Sequence, residues 1–137
     1  MFIGKLRHGG DLLYSLNRLV RDQSIKAGYI QIMGGLQRAR LSYFDQLKRA
    51  YREIAFDAPH EIVSGTGNIS LRDDTPYVHL HLAIADHEGR VVGGHCLEGC
   101  TIYAVEYVII PFVGVAPRRV YDETTGLYQW EKDSYSF

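Results

Sequence analysis

His79 and His81 stand two residues apart in Tyr77-Val78-His79-Leu80-His81-Leu82, and His95 follows in Gly93-Gly94-His95. Successive side chains of a strand point to opposite faces, so an extended run places His79 and His81 on one face. Between them and His95 lies Asp86-His87-Glu88-Gly89-Arg90, which reads as a hairpin turn. Asp suits the first position of a type I turn, and Gly89 the left-handed position that closes a three-residue loop. With His87, Glu88 and Gly89 as that loop, Asp86 pairs with Arg90 and His81 falls directly opposite His95. His79 then lies one diagonal step away. Three imidazoles within reach of one point are what a divalent transition metal needs when it keeps a coordination position open. A two-residue loop would shift the register by one and carry His95 to the other face, and a bulge at Gly93-Gly94 would re-aim it.

The elements that must hold these histidines follow from periodicity. Met1 to Leu6 reads as a first strand, and Asp11 as the N-cap of a helix running to about Lys26, closed by Gly28. Leu12, Leu16, Leu19, Val20 and Gln23 share one face of it, with Arg18, Arg21 and Asp22 in solvent. Strand-like runs follow at Tyr29 to Met33, Ala39 to Phe44 and Ile54 to Phe56, with a second short helix weighed at Asp45 to Tyr51. His60 to Leu71 alternates but is interrupted by Gly65 and Gly67, the mark of a bent or bulged strand. Pro76 to Ala85 and Arg90 to Leu97 form the histidine hairpin. Thr101 to Val113 is apolar on both faces apart from Glu106 and reads as a central strand. Arg118 to Phe137 carries a turn at Asp122-Glu123-Thr124-Thr125-Gly126 and one further short strand. One helix cannot cover both faces of such a sheet, so a subunit contact over the Thr101 to Val113 strand is expected.

Composition narrows the class. The 137 residues form one domain, 1–137, with 46% hydrophobic and 23% charged residues. A net charge of −1 gives no global case for nucleic acid or an anionic membrane. No apolar run approaches a membrane span and no signal peptide opens the chain, so a cytoplasmic location is expected. Cys96 and Cys100 lack Cys-x-x-Cys spacing and read as free buried thiols.

Two carboxylates are weak candidates for catalysis. Glu106 falls among Ile102, Ala104, Val108 and Ile110 and would act as a half-buried base or a partner to a metal site, or else form a structural ion pair. Glu98 is nearer His95 in sequence but takes the opposite face in the simple register. Thr66 and Asn68 share a face and could line a small polar pocket. His8, His60 and His87 read as solvated. Arg38, Arg40, Lys48, Arg49 and Arg52 form the one basic stretch, read as a solvated face. Ten tyrosines suit interfaces and need not imply nucleobase stacking.

Several segments resemble one family. Lys5-Leu6-Arg7 with Gly9-Gly10-Asp11-Leu12-Leu13, Gly65-Thr66-Gly67-Asn68-Ile69-Ser70, Pro76 to His81, Asp86 to His95 and Leu97-Glu98-Gly99-Cys100 occur in order and at sensible spacing. They resemble the plants-and-prokaryotes-conserved (PPC) domain across essentially the whole chain. The resemblance implies an α+β fold, a mainly antiparallel β-sheet flanked by one main helix, assembled as a homotrimer. It also implies that His79, His81 and His95 are metal ligands, with zinc the usual ion and another divalent transition metal the alternative. Such proteins commonly carry a DNA-binding label, which derives from plant relatives with a separate basic minor-groove arm. This chain contains no such arm, so tight binding to duplex DNA is not expected.

Three functions are compatible with these residues, the third being a structural metal clamp that tightens the subunit interface, which the lack of a visible fourth protein ligand disfavours. The first is a trimeric metal-binding regulatory or ligand-binding module that takes a small molecule or anion at the metal. The alternative is a zinc-dependent enzyme of hydrolase or lyase type, whose open metal position would polarise a carbonyl or ester.

Overall fold

Asp11 opens the helix as the sequence predicts: its carboxylate accepts from the Tyr14 amide at 2.8 Å. In the computed structural model, which describes residues 1–137, the elements run β1 (Phe2–Lys5), α1 (Leu12–Asp22), β2 (Gly28–Asp45), β3 (Ala50–Phe56), β4 (His60–Arg72) and β5 (Thr75–Ala85). They continue with β6 (Val91–Cys96), β7 (Thr101–Pro111), β8 (Arg118–Asp122) and β9 (Leu127–Trp130). Every pairing between strands is antiparallel except the short parallel one that joins β8 to β4. The α+β architecture, mainly antiparallel with one helix, is therefore the observed one.

The long strand β2 organises the sheet. Its first half, Gly28 to Leu36, runs between β7 and β4. Its second half pairs with β3, and there Leu41 and Ser42 also meet Cys96 and His95 of β6. Since β4 pairs with β5 and β5 with β6, the circuit β2–β4–β5–β6 closes on itself. Enclosed between this curved sheet and α1 is a core that includes Leu12, Leu16, Val20, Ile30, Leu36, Val78, Leu80, Ile84, Ile102 and Ile109. Burying a side chain of this size stabilises the fold by roughly 1.5–3 kcal/mol. One polar group, Asn17, is buried among them. Its side-chain N–H donates to the Leu13 carbonyl, and its oxygen accepts from the Val78 amide at 2.9 Å. That bond satisfies an amide of β5 beyond the end of β6, one residue before His79.

Four local expectations differ from the structure. The helix stops at Asp22, not near Lys26. Ser24 adopts φ 54°, its amide bonds the Arg21 carbonyl, and the Ile25 amide bonds the Val20 carbonyl, a Schellman ending. Gly28 does not close the helix; it begins β2. Tyr29 to Met33 and Ala39 to Phe44 are one strand whose register shifts near Gly34 and Leu36. The second helix at Asp45 to Tyr51 is absent. Asp45 instead accepts from the amides of Leu47 and Lys48, building the turn of the β2–β3 hairpin.

Candidate metal centre

The histidine hairpin depends on Asp86. Its carboxylate accepts from the amides of Glu88 and Arg90 at 2.9 and 3.0 Å and from the Arg90 guanidinium at 2.8 Å. The Gly89 amide closes onto the Asp86 carbonyl, with Gly89 at φ 78°. These bonds make the loop His87-Glu88-Gly89, so the register brings His81 directly opposite His95. On β5, Val78, Leu80, Leu82 and Ile84 point into the core. Tyr77, His79 and His81 therefore stand on the outer face of the sheet.

The three imidazoles converge there. Ring centroids lie 5.0 Å apart for His79–His81 and for His79–His95, and 5.4 Å apart for His81–His95. One nitrogen from each lies within 4.8 Å of the others. Two nitrogens on a tetrahedral zinc stand about 3.3 Å apart, from Zn–N bonds of about 2.0–2.1 Å. To hold such an ion the three rings would have to turn inward. Burial pushes the His79 ring down to about 3, with Arg119, His95 and His81 adding repulsion to its protonated form. Burial likewise lowers His95 to about 4, helped by His81 and Arg119, and lowers His81. All three rings are thus shifted toward the neutral form, the state in which imidazole ligates a metal. The Nδ1 atom of His95 is buried with no protein partner. A set of neutral imidazoles with one orphaned nitrogen fits a divalent transition metal.

Around the cluster lies a cavity of about 690 Å³, lined by the outer face of β5 and β6 together with the β2–β3 and β8–β9 hairpins. Its walls include Phe44, Tyr51, Tyr77 and Tyr128. Arg119 on β8 reaches into it. That guanidinium donates to the Ser70 hydroxyl at 2.9 Å, the Asn68 side-chain oxygen at 2.9 Å and the Tyr128 carbonyl at 3.2 Å. It also donates to Nδ1 of His79 at 3.2 Å. Arg72, at the end of β4, stacks with its guanidinium carbon 4.2 Å from the Tyr128 ring centre.

Neither carboxylate candidate joins this group. Glu106 is exposed on β7, opposite Lys5 and Met33, and borders a separate groove. It does not share a face with Ile102, which is fully buried, because the β2–β7 register shifts between Gly35 and Leu36 and resets the alternation. Glu98 is exposed in the turn after β6 and does not line the cavity. Asn68 sits opposite His79 and holds Arg119, whereas Thr66, opposite His81, is exposed and lies outside the cavity wall. Cys96 and Cys100 are free thiols buried on the core side, with sulfurs 3.8 Å apart. Sequence reasoning missed Arg72, Arg119 and Tyr128. Arg72 was accessible from the alternation of β4, which puts residues 68, 70 and 72 on one face. Arg119 arrives only through the non-local pairing of β8 with β4, which no local pattern announces.

Comparison with known proteins places the fold. Residues 1–113 match the Plants and Prokaryotes Conserved (PCC, or PPC) domain, and the chain belongs to that family. A metal-containing protein from Archaeoglobus fulgidus is 34% identical, with a TM-score of 0.91 over 96% of this chain and 92% of that one. A PPC protein from Pyrococcus horikoshii is 28% identical, with a TM-score of 0.91 over 98% of this chain and 92% of that one. The bifunctional protein GlmU of a Synechococcus strain is 36% identical over 107 residues, 77% of this chain. The aligned stretch is only 16% of that curated relative's length. No helix is long and apolar enough to cross a membrane. The matched family region ends at Val113, so β8 and β9, with Arg119 and Tyr128, lie beyond it.

Proposed function

We propose that this protein is a metal-binding module of the PPC family that presents a single divalent metal, zinc in the first instance, to a small-molecule ligand. The observation that carries this reading is the convergence of His79, His81 and His95, shifted toward the neutral form, in a cavity of ligand size. These three side chains would hold the ion, which supplies Lewis acidity and an open coordination position when bound. Each second partner has a defined task. Asn68 and Ser70 fix Arg119 beside His79, and Tyr51 stacks obliquely on His95 with ring centres 5.8 Å apart.

Binding is favoured over the hydrolase or lyase alternative because Glu98 and Glu106 both stand away from the cavity, leaving it without a carboxylate base. The DNA-binding label gains little from the charges. Arg40 of the basic stretch is paired with Asp57 at 2.8 Å and lies near Glu53, and the Arg49 guanidinium donates to the Glu123 carbonyl. We further infer a homotrimer, its number taken from the family and its need from the exposed apolar face described below.

Elemental analysis of protein purified without chelator tests the metal. Wild type is expected to carry about one divalent ion per chain, and a His79→Ala/His81→Ala variant almost none. Equal metal content in the two would refute the site.

A further inference from the structure

The cavity over the histidines has an unbalanced charge. Arg72 and Arg119 both line it, and no Asp or Glu does. Neither guanidinium forms an ion pair with a protein carboxylate. Every acceptor that Arg119 meets is a neutral group. Arg72 donates no side-chain hydrogen bond and is positioned by ring stacking alone. Both guanidinium carbons lie 5.7 Å from the ring centre of Tyr77, the Arg119 group hydrogen-bonded also to His79 and the Arg72 group stacked also on Tyr128. Two like charges around one ring, partly withdrawn from water, repel each other until an anion joins them.

The contact between Arg119 and His79 links this charge to the metal. An arginine only donates, so Nδ1 of His79 accepts and the ring proton lies on Nε2. A neutral imidazole has a single lone pair, which either Arg119 or a metal takes. Ligation through Nδ1 displaces the guanidinium directly. Ligation through Nε2 moves the ring proton to Nδ1, where it faces the same guanidinium N–H. Either way metal entry frees a donor of Arg119 beside the ion.

Resting on the metal reading above, we propose that the cavity takes a small organic polyanion, bearing two or more carboxylate or phosphate groups, cooperatively with the metal. One anionic group meets the metal and the freed donor of Arg119, and the second meets the open fork of Arg72, which suits planar oxyanions. The carbon frame packs on Phe44, Tyr51, Tyr77 and Tyr128. The anion removes the repulsion between the dication and two guanidinium groups, so each ligand strengthens the other by the same factor. Both Arg119 and Tyr128 come from the β8–β9 hairpin, beyond the matched family region. The C-terminal hairpin therefore supplies part of the specificity.

Cobalt(II) provides the test, since its visible absorption reports ligation without any assay of activity. Cobalt affinity is measured by competition with a chromophoric chelator, in acetate, succinate or inorganic phosphate, with Trp130 fluorescence as a second readout. Succinate, phosphate or both are expected to raise cobalt affinity at least about fivefold, the lower end of ordinary coupling between sites, while acetate does not. A response to succinate alone assigns a dicarboxylate, and to phosphate alone a polyanion with a phosphate among its two or more groups. In Arg72→Met the enhancement should vanish. In Arg119→Met it should vanish while affinity for cobalt alone rises, a direction that general structural damage would not give. Arg72 makes no side-chain hydrogen bond, so the Arg72 variant carries the test should Arg119→Met fail to fold. Cobalt binding with no difference among the three anions, or an enhancement that survives in Arg72→Met, overturns this inference alone. Failure of wild type to bind cobalt overturns the metal reading and the cooperativity with it.

Discussion

An imidazole withdrawn from water beside a guanidinium and two further imidazoles resists protonation, and His79 and His95 meet that condition. The consequence for stability has a definite sign. In the unfolded chain both rings titrate near 6.5, whereas burial lowers folded His79 to about 3 and His95 to about 4. As pH falls below 6.5 the unfolded chain takes up protons that the folded chain refuses, so the metal-free protein loses stability. The full contribution is present above that value and is progressively lost down to the folded values. Urea titrations of metal-free protein across the window should show a midpoint that falls with acidification, and a shallower fall for His79→Gln/His95→Gln. Identical pH profiles for wild type and that double variant would show that these rings are not held neutral by the fold.

At the scale of elements, the hairpin and its neighbour β4 make the cluster. Gly89 sits at φ 78° in open space, so Gly89→Ala should cost about 1–2 kcal/mol through backbone strain alone. Gly67 is different. A Cβ there would fall 2.1 Å from the His79 carbonyl oxygen, so β4 and β5 would have to separate behind His79. Metal titration combined with denaturant unfolding should therefore give a Gly89→Ala protein with normal metal affinity and a Gly67→Ala protein that loses affinity and stability together. Equal metal affinity in the two would mean that the β4–β5 spacing does not position His79. The hairpin was legible in the sequence because Asp86 and Gly89 specify its loop locally, and strand parity did the rest. Less visible were the features set by partners far along the chain. The helix end was obscured by a serine in the left-handed position that glycine usually fills. Gly28 could serve equally as a helix stop or a strand start. The facing of Glu106 depended on a register shift between β2 and β7, and the Arg119 side of the site depended on β8 pairing with β4.

For the whole molecule, β7 presents one buried and one uncovered face. Ile102, Val105 and Ile109 enter the core, while Tyr103 and Ile110 remain 62% and 42% exposed. Beside them Ile3 on β1 and Met33 on β2 are 71% and 55% exposed and, with Glu106, border a groove of about 660 Å³. A face of this kind, apolar apart from Lys5, Gln31 and Glu106, suits a subunit contact. Light scattering is expected to give a homotrimer, and Met33→Asp to shift it toward smaller species. A stable monomer at micromolar concentration would contradict this, and a dimer would keep the covered face while discarding the number three. The metal site lies on the same outer side of the curved sheet, since Val108, Gln31, Thr66 and His81 are paired in turn across β7, β2, β4 and β5, and its chemistry can be read directly. X-ray absorption at the zinc edge of the zinc-loaded protein is expected to show three imidazole nitrogens at about 2.0–2.1 Å and no sulfur. Loss of that imidazole pattern should follow from His79→Ala/His81→Ala. A zinc–sulfur shell near 2.3 Å, which would mean that Cys96 and Cys100 had left the core to bind the ion, or no bound zinc at all, would contradict the three-histidine site.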